Sequence, residues 1–115
     1  MSLEESSSRG TGDRPLVGSR HCHLAGEIDL SVVSETKSRL GRLIALGPGR
    51  VEVDLSAVEF IDAAGLGALV ELVEEARCQR VDLVFLRPSA AVERVMKLCR
   101  LYEHFSALGV LENKA

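Results

Sequence analysis

Between residues 20 and 110 the apolar pattern switches three times from strand period to helix period, and this alternation constrains the fold more than any other feature of the chain. His21-Cys22-His23-Leu24 alternates, which puts Cys22 and Leu24 on one strand face and His21 and His23 on the other. Gly26-Glu27-Ile28-Asp29 is expected to break that strand. Val33, Leu40 and Ile44 then recur at helical spacing behind Ser31 as the N-cap. Gly47-Pro48-Gly49 turns the chain into a short strand, Val51 to Leu55. Leu66, Leu69, Val70 and Val73 mark an amphipathic helix, and Val81 to Leu86 reads as a strand buried on both faces. Pro88-Ser89 opens a helix with Val92, Val95, Met96 and Cys99 on its inner stripe. Leu101, Phe105, Leu108 and Val110 suggest a last short element that closes the core. Strands separated by helices need crossover connections, so the order β-α-β-α-β-α predicts an α/β domain with parallel central strands. Ligands of such folds sit beyond the C-terminal ends of the strands.

Composition narrows the function. The 115 residues carry 14 Lys+Arg against 17 Asp+Glu, and a net charge of −3 offers no electrostatic footprint for nucleic acid. Aromatic residues make up only 3%, too few for a base-stacking surface. No uncharged stretch approaches the roughly 20 residues of a membrane helix, so no membrane insertion is expected. Residues 1–13, rich in Ser, Gly and charge, read as a disordered tail, with the folded domain over 14–115. The start of the chain has neither a secretory pattern nor a lipidation motif, and Cys22, Cys78 and Cys99 form no framework, so a reducing cytoplasm is expected.

The informative segment is the turn after the second strand, from Asp54 to Gly67. Asp62 stands just before an apolar-periodic run, where its carboxylate can cap free N–H groups and suits the positive helix end. Ala63, Ala64 and Gly65 leave the first helical turn bare, open to close approach by another backbone. Gly67 inside a helix costs about 1 kcal/mol relative to Ala, which suggests a close contact on its face. The small residues serve either a partner or packing of the helix on its own sheet, and both readings stay open.

This segment resembles the STAS domain family, in its anti-sigma factor antagonist branch. Gly26-Glu27-Ile28-Asp29, Asp54-Leu55-Ser56 and Phe60-Ile61-Asp62-Ala63-Ala64-Gly65-Leu66-Gly67 carry the resemblance, followed by a helix, an apolar strand and a helix. It runs from about residue 14 to about 110. The resemblance implies a small, mixed, mainly parallel sheet with helices packed mainly on one face. It implies a partner, an anti-sigma factor of the serine-kinase type, docking on Asp29, Asp62, Ala63, Ala64, Gly65, Leu66 and Gly67 so that a sigma factor is released. In the phosphorylated members of the branch a Ser or Thr directly precedes Gly-Leu-Gly, or stands one position earlier. Those positions are Ala64 and Ala63 in this chain, and neither has a hydroxyl. The chain is then either held in the binding-competent state or outside the kinase circuit. Small STAS proteins also serve as subunits of lipid-transport ABC complexes or as ligand sensors, and these remain the alternative readings.

Other residues have plainer readings. Ser56 ties down its own turn, and Ser89 caps its helix. The two histidines of His21-Cys22-His23 have no further ligand pair nearby, so a solvated strand rather than a metal site is expected. Cys99 reads as a small core residue, and Cys78, off the apolar stripe, as a candidate redox position. Glu71, Glu74, Glu75, Arg77 and Arg80 read as a solvated helix face. No nucleophile–base arrangement, phosphate loop or dinucleotide fingerprint is present, so neither catalysis nor a cofactor is expected.

Overall fold

A computed structural model describes residues 19–112. The boundary drawn at residue 14 and the tail over 1–13 lie outside the described residues. The elements follow the expected alternation through α3, after which the segment read as one short element is a helix and a two-residue strand: β1 Ser19–Ile28, α1 Val33–Ala45, β2 Gly49–Ile61, α2 Ala63–Cys78, β3 Val81–Leu86, α3 Ala90–Leu98, α4 Tyr102–Leu108 and β4 Leu111–Glu112. A 3-10 turn, Leu30–Val32, links β1 to α1. The four strands form one sheet in sequence order, and all three described pairings are parallel.

Alternate residues of each strand feed one core. Cys22 and Leu24, then Val51, Val53 and Leu55, then Val81, Leu83 and Phe85 pack with Leu40 and Ile44 of α1, Leu69 and Leu72 of α2, Val92 and Met96 of α3 and Phe105 of α4. The helices therefore cover one face of the sheet. The other face carries His21, Arg50, Glu52, Asp54 and Asp82. Arg50 spans it, with its guanidinium 2.7 Å from Glu52, 3.1 Å from Asp82 and 3.2 Å from Glu112. His21 Nδ1 lies 2.9 Å from Glu52 and His23 Nδ1 3.9 Å from Asp54. Val84 is buried as well, so β3 keeps apolar residues on both faces apart from exposed Asp82.

Several sequence expectations need correction. Gly26 does not end the first strand: it takes φ +80 and the strand continues to Ile28, which is fully buried. The second strand does not stop at Leu55 but runs to Ile61. Along its pairing with β1 the chain of β2 carries an extra residue twice, between Asp54 and Ala57 and between Val58 and Phe60. These bulges set the buried residues Leu55, Val58 and Ile61 three apart, a spacing that hides a strand from a period-two reading. Ser31 is not the cap. The N-cap of α1 is Val32, with no side-chain bond, while Asp29 caps the 3-10 turn before it, accepting from the Ser31 N–H at 3.0 Å. Cys99 is exposed, because α3 ends at Leu98 and the helical stripe does not continue past it. Leu108 is likewise exposed, beside Gly109 in the left-handed conformation that ends α4. Ser89 caps α3 as expected, accepting from the Val92 N–H at 3.2 Å.

Asp54 is 5% exposed and accepts from the Ser56 N–H at 2.8 Å and from the Arg87 guanidinium. Burial pushes its carboxyl up, but the Ser56 hydroxyl and N–H and the Arg87 guanidinium more than offset this and hold it below the usual carboxylate range. A depressed carboxyl contributes stability above its unfolded value of about 3.9, and that contribution is lost as pH falls through the lower folded value. The melting temperature is therefore expected to fall as pH drops below about 4, and to fall less in Arg87→Met. Thermal melts across that range check it. An identical acid profile in the variant would show that Asp54 gains nothing from Arg87.

Candidate functional site

The loop leaving β1 and the helix start leaving β2 lie side by side at one end of the sheet. Asp62 takes an extended conformation, and its carboxylate accepts from the Gly65 N–H at 2.8 Å, which makes it the N-cap of α2 as the sequence predicts. Its own N–H donates to the Ile28 carbonyl at 3.3 Å. The same carbonyl stands over Gly65. A Cβ on Gly65 would overlap the Ile28 oxygen and lie 3.0 Å from Ile61 Cγ1. Gly67, by contrast, faces open space, so the close contact inferred for Gly67 belongs to Gly65. The packing reading of the glycines holds for Gly65.

One residue beyond Ile28, Asp29 accepts two hydrogen bonds from Ser31, from the N–H at 3.0 Å and from the hydroxyl at 2.6 Å. The Ser31 hydroxyl is the main reason its carboxyl sits below the usual range. The 3-10 turn packs against α2 and α1. The two capped turns thus form one surface. Asp29, Asp62, Ala64 and Gly67 are half-buried on it and Ala63 is exposed, while Gly65 and Leu66 are buried and support it from below.

Two apolar residues of this surface had no assigned role in the sequence. Leu30, next to Asp29, is 73% exposed and Phe60, two residues before Asp62, is 48% exposed. Glu27 pairs in register with Phe60, and both Glu27 and Glu59 are exposed. Among the described residues no Lys or Arg forms an ion pair with Glu27, Asp29, Glu59 or Asp62. Exposed Leu30, Phe60 and Ala63, half-buried Ala64 and the four carboxylates all lie at or just beyond the C-terminal ends of β1 and β2. Phe60 was legible as a large apolar residue inside a charged stretch. Leu30 was not, because a leucine after a strand reads as core.

The remaining candidates lie elsewhere. Cys78, on the last turn of α2, is exposed and free. At 1.5 Å rise per residue it stands about 21 Å along the helix from Ala64. Among the described residues no group of three or more His, Cys, Asp or Glu could hold a metal ion, and His21 and His23 face carboxylates of β2. No described helix is long and apolar enough to cross a membrane.

Comparison with known proteins places this geometry in a family. The model of the STAS domain family matches residues 17–113. The anti-sigma-F factor antagonist RsfB of Mycobacterium tuberculosis is 36% identical over 90 residues, covering 78% of this chain and 73% of the relative. Among solved structures, an anti-sigma factor antagonist from Mycobacterium paratuberculosis superposes with a TM-score of 0.73 at 24% identity, over 98% of this chain and 87% of that one. The unphosphorylated form of the anti-sigma factor antagonist SpoIIAA gives a TM-score of 0.69 at 16% identity, over 98% and 89%. At these identities the structural likenesses speak for the fold: a parallel sheet with helices on one face.

Proposed function

The chain belongs to the STAS domain family, and from that premise we propose that it is an anti-sigma factor antagonist, a cytoplasmic regulatory binding module rather than an enzyme. It binds an anti-sigma factor of the serine-kinase type through the surface around the first turn of α2 and so releases a sigma factor. The observation that carries this reading is the set of exposed apolar residues Leu30, Phe60 and Ala63, with half-buried Ala64, close in sequence to Asp29 and Asp62 where β1 and β2 end, in a chain 36% identical over 90 residues to an anti-sigma-F factor antagonist. Exposed apolar side chains ringed by charge are how protein interfaces are built, with the centre supplying affinity and the rim supplying orientation.

Alanine at positions 63 and 64 has two consequences. It lets a partner backbone come close to the helix start, and it leaves no hydroxyl at the position where the phosphorylated members of the branch carry their acceptor. At that position the chain stays in the binding-competent form.

The test is direct binding of the full chain to a purified mycobacterial anti-sigma-F factor by calorimetry. Binding at micromolar or tighter levels is expected. Ala64→Asp is expected to weaken it by about tenfold or more, because a carboxylate on the first turn of α2 is desolvated by docking without a partner of its own. No binding by the unmodified chain sinks the reading, and unchanged affinity of Ala64→Asp shows that the surface is elsewhere. The rim adds an independent expectation. Four carboxylates without a Lys or Arg ion pair among the described residues suit a basic partner face, so affinity is expected to fall as salt rises from about 0.05 to about 0.5 M, through Debye screening. A salt-independent constant would show that the rim takes no part.

A further inference from the structure

The outer side of α1 carries a groove that no other described element fills. It measures about 680 Å³ and runs along Val33, Ser34, Ser38, Gly41 and Ala45, with Glu75 of α2 on one wall. Leu30 lines one end of it at 73% exposure, and Leu46, the C-cap of α1, stands 67% exposed at the other end of the helix. Large leucines left in water at both ends of one helix are apolar surface that a covering partner would bury. Gly41 sits in the helix interior, where glycine is unfavourable. Its own chain does not require it there, because a Cβ would meet only Glu75 Oε2, in ordinary contact at 3.6 Å.

The charges of the groove point to its occupant. Arg42 and Glu75 both line it, and among the described residues neither forms an ion pair. Glu75 is half-buried with its carboxylate beside Gly41, so the middle of the groove suits a cation. The same face presents Arg42, exposed. A surface that carries both halves of an ion pair, unmade, is complementary to a second copy of itself. The polar face of the sheet differs, since Arg50 there is already engaged by Glu52, Asp82 and Glu112.

We propose that this groove is the interface of a homodimer, in which α1 of one copy lies antiparallel along the groove of the other. A two-fold axis midway between Ser38 and Gly41 sets those two residues on each other and Ser34 on Ala45. Side chains that small let the helix axes approach to about 8 Å. The same axis sets Leu46 of one copy against Val33 of the other, one turn from Leu30. It sets Arg42 of one copy at the level of Lys37 of the other, a lysine already held by its own Glu71. From there the Gly41 that the Glu75 carboxylate lies beside is about 6 Å along the helix, within reach of an arginine side chain. Symmetry makes the contact twice. Leu30 and Leu46 are about 25 Å apart and two helix diameters are about 20 Å, so each copy covers about 500 Å² in projection. An interface of that size is weak and reversible, with a dissociation constant expected in the range of about 10 to about 100 µM.

Sedimentation velocity of the full chain from about 5 to about 500 µM, with thermal melts to show that each variant is folded, tests this. A monomer–dimer equilibrium is expected. Ser38→Arg, at an exposed helix position on the crossing, should weaken the dimer by about tenfold or more without lowering the melting temperature. Arg42→Glu and Glu75→Arg should each be monomeric alone, because like charges then meet across the axis. Mixed in equal amounts they should dimerise, because the mixed pair restores both contacts. An unmodified chain that stays monomeric at about 500 µM overturns the proposal. If Ser38→Arg then weakens binding of the mycobacterial anti-sigma-F factor, the groove belongs to that partner instead. A dimer that Ser38→Arg leaves intact lies on another face, and a mixture of the charge variants that stays monomeric removes the pairing of Arg42 with Glu75; either result overturns the proposed interface.

Discussion

Gly65→Ala is expected to lower stability by about 3 kcal/mol, which for a domain of this size is roughly 15 °C in melting temperature. The added Cβ has nowhere to go. It would overlap the Ile28 carbonyl oxygen and press on Ile61 Cγ1 at 3.0 Å, and the first of these is backbone rather than the far end of a flexible side chain. Relief requires α2 to move away from the end of β1. That movement also breaks the Asp62 N–H bond to Ile28, now 3.3 Å, so the relative placement of the two capped turns is lost along with stability. Gly67→Ala is the matched control. Nothing lies within 4 Å of a Cβ there, and alanine is the better helix former by about 0.8–1 kcal/mol, so this variant should melt higher than the unmodified chain. Thermal melts of the two variants side by side decide the matter. If Gly65→Ala melts within a few degrees of the unmodified chain, the contact is softer than described. If Gly67→Ala melts lower, the open face is not open.

Arg20→Met should be nearly as damaging, at about 3 kcal/mol, for an electrostatic reason. Arg20 follows the inward parity of β1 and is only 9% exposed. Its guanidinium reaches across the sheet end to the last turn of α1, donating from Nη1 to the Leu43 carbonyl at 2.5 Å and from Nη2 to the Gly47 carbonyl at 2.6 Å. Those carbonyls belong to the helix end and the turn after it, where backbone oxygens lack helical partners and the helix dipole is negative. Methionine fills the volume but takes the Arg20 donor from the Gly47 oxygen, leaves the Leu43 oxygen only the 3.4 Å bond from the Leu46 N–H, and removes the charge. Arg20→Lys should recover only part of the loss, because an ammonium cannot bridge two acceptors in the planar fork of a guanidinium. Full recovery in Arg20→Lys would show that charge alone, not the fork, holds the helix end. Gly49 belongs to the same device. It sits at φ +145, and a Cβ there would lie 2.6 Å from Arg20 Nη2.

Local rules were the legible ones. Asp62 and Ser89 were recognisable as caps because a cap is a side chain bonding to backbone two or three residues ahead, and both bonds are present at 2.8 Å and 3.2 Å. The strand Val81–Leu86 was legible to its ends, since its apolar run is bounded by polar residues on both sides. Failures came where the period was not two or 3.6. Leu55, Val58 and Ile61 are spaced by bulges in β2, and bulges answer to the partner strand rather than to local propensity. Ser31 was expected to cap α1, but a 3-10 turn capped by Asp29 precedes that helix and leaves Val32 at its N-cap, and only the chain path after Ile28 decides this. Cys99 was misplaced by extending a helical stripe one residue past the end of its helix.

The order of strands and helices up to α3, the parallel pairing of the first three strands, the apolar faces and the small-residue start of α2 follow from the sequence alone, through periodicities that each segment carries within itself. What the small residues are for did not follow. Gly65 and Gly67 look alike in a sequence, and the difference between them lies in the Ile28 carbonyl, which only the parallel packing of β1 beside β2 brings to one and not the other. The same fold sets the 3-10 turn that carries Leu30 and Ser31 against α2. Periodicity is a property of neighbours along the chain, whereas a surface is made of neighbours across it.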